Sequence, residues 1–565
     1  MGRDFTRTLV WIILAFAIFM LWDAWQVKNG GESFFAEPAA EQSASSEDKG
    51  GEAAKPEAPK GPALGSGNTV IEQPVVVRTD LFAMTFDAVG ATVAKSELLK
   101  EQATVNWKYK GVPSIFFGTQ DSDPGNEVLL DTRADHIYKA ETGLIGGNYP
   151  THRTPFKLVS KDLTLADGQD KLDVVFSATS GDLELIKTFT FERGHYGIQV
   201  KHEIVNHGSA AASPSVYMQL VRDDSPIASD GSMYNTFTGP AVYTDEEKYQ
   251  KIEFTDIADG DKDYPTYSND GWVAMVQHYF LTAWVPQEGV KRELYTSQLD
   301  KNLFSVGSIV SAGTIAPGEK AEVSSQLYVG PQDQKRLETI APHLDLVVDY
   351  GWLTFLAKPI YYVMDFIHSL VGNWGWTIVL LTCLVKLILY PISAASYKSM
   401  ARMREVQPRM KALQEKFGND KQALNQAMMQ LYKTEKINPA GGCLPIFLQL
   451  PIFLALYWVL LATVELRGAG WMLWITDLSN PDSYLILPLI MVATMILQMK
   501  LSPTPTDPTQ AKIMFLMPIV FGIMFFFFAS GLVLYWLTNN VLSIWQQWYV
   551  NKQIAAESAK RRKVG

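Results

Sequence analysis

Trp374-Gly375-Trp376-Thr377-Ile378-Val379-Leu380-Leu381-Thr382-Cys383-Leu384-Val385-Lys386-Leu387-Ile388-Leu389-Tyr390-Pro391-Ile392 is an apolar run with a single charged side chain, Lys386, in its second half. As a helix rising ~1.5 Å per residue, it has about the length needed to cross the ~30 Å hydrocarbon core of a bilayer. Four more runs of similar character follow, approximately Leu444 to Val464, Tyr484 to Met499, Ile513 to Ala529 and Leu532 to Trp548. The C-terminal part therefore reads as an α-helical membrane core of five spans.

Outward from this core the charge changes sign. Residues 23 to 350 hold 28 basic and 48 acidic side chains, residues 351 to 565 hold 19 and 10, and the 565-residue chain carries a net charge of -10. The acidic block contains no stretch of 18 apolar residues, so a soluble domain is joined to a polytopic membrane domain. The overall acidity argues against a nucleic-acid enzyme. The cysteines are Cys383 and Cys443, both in or beside apolar runs, so the acidic domain forms no disulfide of its own. An oxidising compartment is neither required nor excluded.

At the N-terminus, Arg3 and Arg7 precede the apolar run Leu9 to Trp22. A cleaved secretory signal is the competing reading, but the run continues into Trp22, Ala24 and Trp25 with no small-x-small site close behind it. Residues 1–25 are therefore expected to be an uncleaved transmembrane anchor. Residues 26–69 are mostly Ala, Glu, Pro, Gly, Ser and Lys, too poor in bulky side chains to offset the entropy of ordering, and read as a flexible linker.

Residues 70–345 carry strand signals. Tyr196, Ile198, Val200, His202 and Ile204 alternate with Gln199, Lys201 and Glu203, the period of two of a half-buried strand. Similar runs at Val75 to Arg78, Leu172 to Ser177, Leu183 to Phe191 and Ala321 to Val329 are punctuated by turns such as Asp167-Gly168 and Ser180-Gly181. This pattern predicts a large β-sandwich. Its histidines show no compact metal-ligand spacing, and no GxSxG or phosphate-cradling loop occurs. The domain thus reads as a binding or scaffolding unit, the chain as a non-enzyme, and neither a metal nor another cofactor is called for. His202 reads as a hydrogen-bonded core or face residue rather than a catalyst.

Residues 346–371 mix Trp352, Phe355, Ile360, Phe366 and Ile367 with Asp349, Lys358, Asp365 and His368. That mixture suits an amphipathic helix on the membrane surface, with a buried helix of the β domain as the alternative. Within the membrane domain, 372–549, residues 393–443 carry nine Lys or Arg against four acids. They read as a helical hairpin broken at Gly418-Asn419, whose basic faces suit an acidic surface or simply solvent. The tail 550–565 contains Lys560, Arg561, Arg562 and Lys563. Placing hairpin and tail inside the cell satisfies the positive-inside rule with six spans and both termini cytoplasmic.

Lys386 stands out chemically. A lone lysine in hydrocarbon costs on the order of 3 kcal/mol unless water or a partner reaches it, and the five runs hold no interior Asp or Glu to pair with it. Snorkelling towards Pro391 is one resolution, and a hydrated cavity is the other. Thr382 one turn earlier, Gln449 in the next run, and Asn539 and Asn540 in the last could line that cavity, although each alone could be only a helix–helix hydrogen bond.

The segments Gly372-Asn373-Trp374-Gly375-Trp376, Asn438-Pro439-Ala440-Gly441-Gly442-Cys443-Leu444-Pro445, Gln449-Leu450-Pro451-Ile452-Phe453 and Ser530-Gly531-Leu532-Val533-Leu534-Tyr535-Trp536 resemble those of the YidC/Oxa/Alb family of membrane-protein insertases. The likeness runs the length of the chain, in the Gram-negative arrangement of anchor, large periplasmic domain and five core spans. It implies a periplasmic β-supersandwich and an energy-independent insertase and chaperone in the inner membrane, acting alone or with the Sec translocon. The implied client groove is hydrophilic and open to cytoplasm and lipid. It would be lined by Lys386, where the family has an arginine, with Thr382, Gln449 and Trp536 at the positions of other groove residues. The implied partners are nascent membrane proteins, the Sec translocon and its accessory subunits, the ribosome and signal-recognition-particle receptor at the cytoplasmic loops and basic tail, and the lipid bilayer. Two rival readings have less support. An anion transporter lacks matching halves and a coupling carboxylate, and a membrane-tethered envelope enzyme lacks a catalytic constellation.

Overall fold

The computed structural model describes residues 71, 73–103, 110, 114, 125–133, 136–225, 236–260, 264–417, 420–435, 444–501 and 508–564. The expected anchor and linker, and the break at Gly418-Asn419, lie outside these residues.

Between Pro74 and Pro331 the described strands form two antiparallel nine-stranded sheets stacked face to face. One runs from the edge strand Pro74–Arg78 to Tyr267–Ser268, the other from Lys248–Lys251 to Lys157–Leu158. The period-two reading is realised in the strand Leu183–Glu192, where every second residue is buried. That inward row is Leu183, Leu185, Lys187, Phe189 and Phe191, with one charge among hydrocarbons. Lys187 is fully buried, and its Nζ donates to the carbonyls of Gly90 at 2.6 Å and Thr142 at 2.8 Å, both reached from the opposite sheet's strands and turns. The Phe156 ring lies 4.6 Å beneath it. Gly90 must be glycine, since its φ is +79° and a Cβ there would meet the His152 carbonyl oxygen at 2.2 Å. Burial pushes the Lys187 amine down to about 7. Its cross-strand neighbour His202, expected as a hydrogen-bonded core or face residue, is fully buried, but neither ring nitrogen has a side-chain hydrogen-bond partner among the described residues, and burial together with the nearby Lys187 charge holds it neutral, down to about 3.

The longer helices that follow are α1 (Thr354–Val371), α2 (Trp374–Ile388), α3 (Tyr390–Phe417), α4 (Lys421–Thr434), α5 (Leu444–Ala462), α6 (Ile486–Leu501), α7 (Pro508–Met524) and α8 (Ser530–Val564). On α1, Ala357, Tyr361 and Met364 face inward at helical spacing while Phe355, Phe366 and Leu370 are exposed. Its charges turn back to the sandwich side: Lys358 pairs with Asp345 at 2.8 Å, and Asp365 with Lys335 at 2.7 Å. Pro391 has no N–H to donate and crowds the turn before it, which fits the 68° bend between α2 and α3. Among the described residues no single helix is long and apolar enough to cross a membrane by itself. The bent α2–α3 pair meets that measure jointly, and Gln449–Ala462, Ile486–Leu501 and Phe515–Phe527 are shorter apolar helices.

Sandwich and helices share one hydrophobic cluster, continuous through Leu344, Tyr350 and Tyr361 to Leu456. Polar pins reinforce it where the chain leaves α5. Arg467 is nearly buried, donates to Glu127 at 3.0 Å and to the Gln102 carbonyl at 2.7 Å, and lies 4.7 Å from the Phe280 ring centroid. Two residues earlier, Glu465 accepts from the Tyr361 hydroxyl at 2.9 Å. Burial raises that carboxyl to about 7.

Lys187 gives the sandwich a testable pH dependence. Its folded-state value lies below the unfolded ~10.5, so between pH 7 and 10 the unfolded chain binds the extra proton and stability rises with pH, by up to about 1.4 kcal/mol per unit. We expect thermal unfolding of the sandwich to show wild type gaining on Lys187→Met between pH 7 and 9.5. Parallel curves for the two proteins would contradict the buried-amine account.

Candidate functional site

The helical bundle brings together three of the residues singled out in the sequence. Lys386 on α2 is 7% exposed, and its Nζ donates to Gln449 Oε1 of α5 at 3.4 Å. The Gln449 amide in turn donates through Nε2 to Asn539 Oδ1 of α8, which fixes which end of the amide faces the lysine. The other three sit differently. Thr382 is buried one turn from Lys386, but its hydroxyl donates to the Ile378 carbonyl at 2.7 Å within its own helix. Asn540 is buried on α8, and its Nδ2 has no partner among the described residues. Trp536 packs edge-on to Phe453 with centroids 4.6 Å apart and tilts over Phe525 at 5.3 Å, forming an aromatic layer about one turn nearer the start of α8 than Asn539 and Asn540.

Sequence reasoning missed the residue nearest the charge. Ser543 of α8 accepts from Lys386 Nζ at 2.8 Å, while its own hydroxyl donates to the Asn539 carbonyl at 2.7 Å. The buried Tyr397 of α3 also hydrogen-bonds to Ser543, and the buried Tyr535 to Gln449. Gln546 reaches the Lys386 carbonyl at 3.5 Å. The signal was present: Asn539, Ser543 and Gln546 recur at i, i+4 and i+7 and so form one polar stripe along α8. An ammonium has three donors and no acceptor, so a buried one is best met by oxygens. Here the ones it meets are neutral, and among the described residues no carboxylate compensates the charge.

The first turns of α2 and α8 are held by motifs read in the sequence. Asn373 caps α2 by accepting from the Trp376 N–H at 3.0 Å and donates to the Gly470 carbonyl at 3.2 Å. Gly375 leaves the space that Trp471 occupies, since a Cβ would fall 2.3 Å from its ring. Gly531 likewise lets α8 begin against the Leu478 carbonyl, to which it donates at 2.9 Å. Among the described residues no group of His, Cys, Asp or Glu could hold a metal ion.

The family described as "60Kd inner membrane protein" matches residues 366–557, and the one described as "YidC periplasmic domain" matches residues 74–363. Among curated relatives, the chain is 49% identical to the membrane protein insertase YidC of Bordetella petrii, over 99% of this chain and 100% of that one. It is 45% identical to that of Cupriavidus metallidurans, covering 98% of each. Among solved structures, it resembles an active YidC insertase whose first transmembrane domain is resolved, with a TM-score of 0.40 and 19% identity over 85% of this chain and 93% of that one.

The two amides differ in how they are matched. Gln449→Leu strips a partner from both Lys386 and Asn539 and is expected to lower stability by about 1–3 kcal/mol, whereas Asn540→Leu removes an unmatched donor and should be neutral or stabilising. Thermal unfolding of the purified variants in detergent checks this, and equal losses would refute it.

Proposed function

The chain belongs to the YidC family of membrane protein insertases of the inner membrane, and we propose that it acts as both insertase and chaperone through a hydrophilic groove open to cytoplasm and lipid. The observation that carries this reading is the Lys386 ammonium, held inside an apolar helical bundle by neutral oxygens. Lys386, Thr382, Gln449, Trp536, Asn539 and Asn540 are proposed as the lining of the groove.

A client's polar segment crossing hydrocarbon directly would meet several kcal/mol for each unsatisfied backbone or charged group. A groove reaching partway across shortens the apolar distance and supplies partners, and a net positive charge at its base attracts acidic residues of that segment. The aromatic layer at Trp536 fits closure on the outer side, so the client would leave sideways into lipid. Lysine serves as a point charge here, where the family's arginine would add a planar fork.

The proposed topology has an anchor at residues 1–25, a linker at 26–69, the β domain at 70–345, an interfacial helix at 346–371, five core spans within 372–549 and a cytoplasmic tail at 550–565, with both termini in the cytoplasm. The exposed apolar face of α1 supports a position on the membrane surface. The basic faces of 393–443 and of the tail suit the ribosome and the signal-recognition-particle receptor. The Sec translocon and its accessory subunits would share larger clients.

Two experiments test the reading. In a reconstituted insertion assay, Lys386→Arg should retain activity, whereas Lys386→Ala or Lys386→Glu should lose it, most of all for clients with acidic translocated segments. Full activity of the Glu variant would overturn the role of charge. Separately, a single cysteine at position 449, in a background lacking Cys383 and Cys443, should react with a charged thiol reagent from the cytoplasmic side alone. Protection from both sides would mean that these polar groups only join helices.

A further inference from the structure

We propose that Ser543 is a positioning residue for insertion: it holds the Lys386 ammonium sideways at mid-depth, so that the charge is presented to the client instead of retreating to the cytoplasmic surface. The proposal rests on the groove reading above and adds to it a residue and a specificity that the sequence motifs did not contain.

The geometry begins with depth. Lys386 lies twelve residues after Trp374 on α2, about 18 Å along the helix, and Ser543 lies thirteen after Ser530 on α8, about 20 Å. Both helices start at the same end of the bundle, where Gly531 sits against Ile378 and Leu478. The 2.8 Å bond from Nζ to Ser543 Oγ is therefore a tie from α2 across to α8, well inside both helices. A lysine stem is long and flexible enough to reach the interface from less than two turns away. The tie opposes that swing.

Ser543 is itself oriented. Its O–H is committed to the Asn539 carbonyl one turn back, at 2.7 Å, so a lone pair faces the ammonium. Gln449 is turned by Asn539 to offer its Oε1 as the second acceptor. Two of the three ammonium donors are thereby placed on neutral oxygens, which leaves the third for a client group. Because both acceptors are uncharged, the full positive charge remains for a client carboxylate. An Asp or Glu at position 543 would have consumed it.

The test uses the full-length chain in proteoliposomes with two clients identical except that the translocated segment is acidic in one and neutral in the other. The readout is the ratio of their insertion rates, with membrane levels of each variant matched. Ser543→Ala is expected to lower the acidic-to-neutral ratio about tenfold, the scale of one hydrogen bond to a charged group. Ser543→Thr, which keeps the hydroxyl, should restore it to within about twofold. Adding Ser543→Ala to Lys386→Ala should lower the ratio no further than Lys386→Ala alone. An unchanged ratio in Ser543→Ala, failure of Thr to rescue, or an additive double variant would each overturn the positioning role and leave the groove reading standing. A Lys386→Ala variant that does not alter the ratio would overturn both together.

Discussion

A positive charge buried among helices must be met by oxygen, and that requirement organises the C-terminal half of the molecule. Lys386 has no carboxylate within the five apolar runs, so its donors fall on Gln449 and Ser543, which come from helices distant in sequence. Meeting those two acceptors requires α2, α5 and α8 to converge at one level. Among the described residues the ammonium is met by neutral oxygens and by no carboxylate, a combination that suits transient attraction of an acidic segment better than permanent pairing would.

The sandwich solves a related problem in a different way. Lys187 occupies an inward strand position, and two backbone carbonyls from the facing sheet take its protons. Deep burial then lowers its affinity for the third proton. The contrast lies in what surrounds each amine: Lys187 ties two sheets through backbone carbonyls, whereas Lys386 rests on side chains from two other helices. The first is architecture.

Between the two halves, Arg467 and Glu465 sit at the end of α5 opposite Gln449 and tie that helix to the sandwich and to α1. A shared apolar cluster backs these polar contacts. The helix that offers an acceptor to Lys386 near one end is therefore tied beyond its other end to the β domain by an ion pair.

Much of this was legible in the sequence. Period-two runs such as Leu183 to Phe191 announced the sandwich because side chains alternate sides of a strand whatever it packs against. Lys386, Gln449 and Asn539 were legible because polar groups in apolar runs are costly and so stand out. Tertiary structure alone decided the rest. Lys187 looked like an ordinary strand lysine until the facing sheet covered it, and its neighbour His202 became a neutral core residue through the same covering. Ser543 belongs to a polar stripe that the sequence carries, but its contact with Lys386 exists only because α2 and α8 pack side by side. Thr382, equally prominent in the sequence, spends its hydroxyl on the Ile378 carbonyl of its own helix. The sequence determined which groups need partners, since that depends on chemistry and periodicity. Which partners they obtain depends on distances between segments far apart in the chain, and only the packed fold sets those.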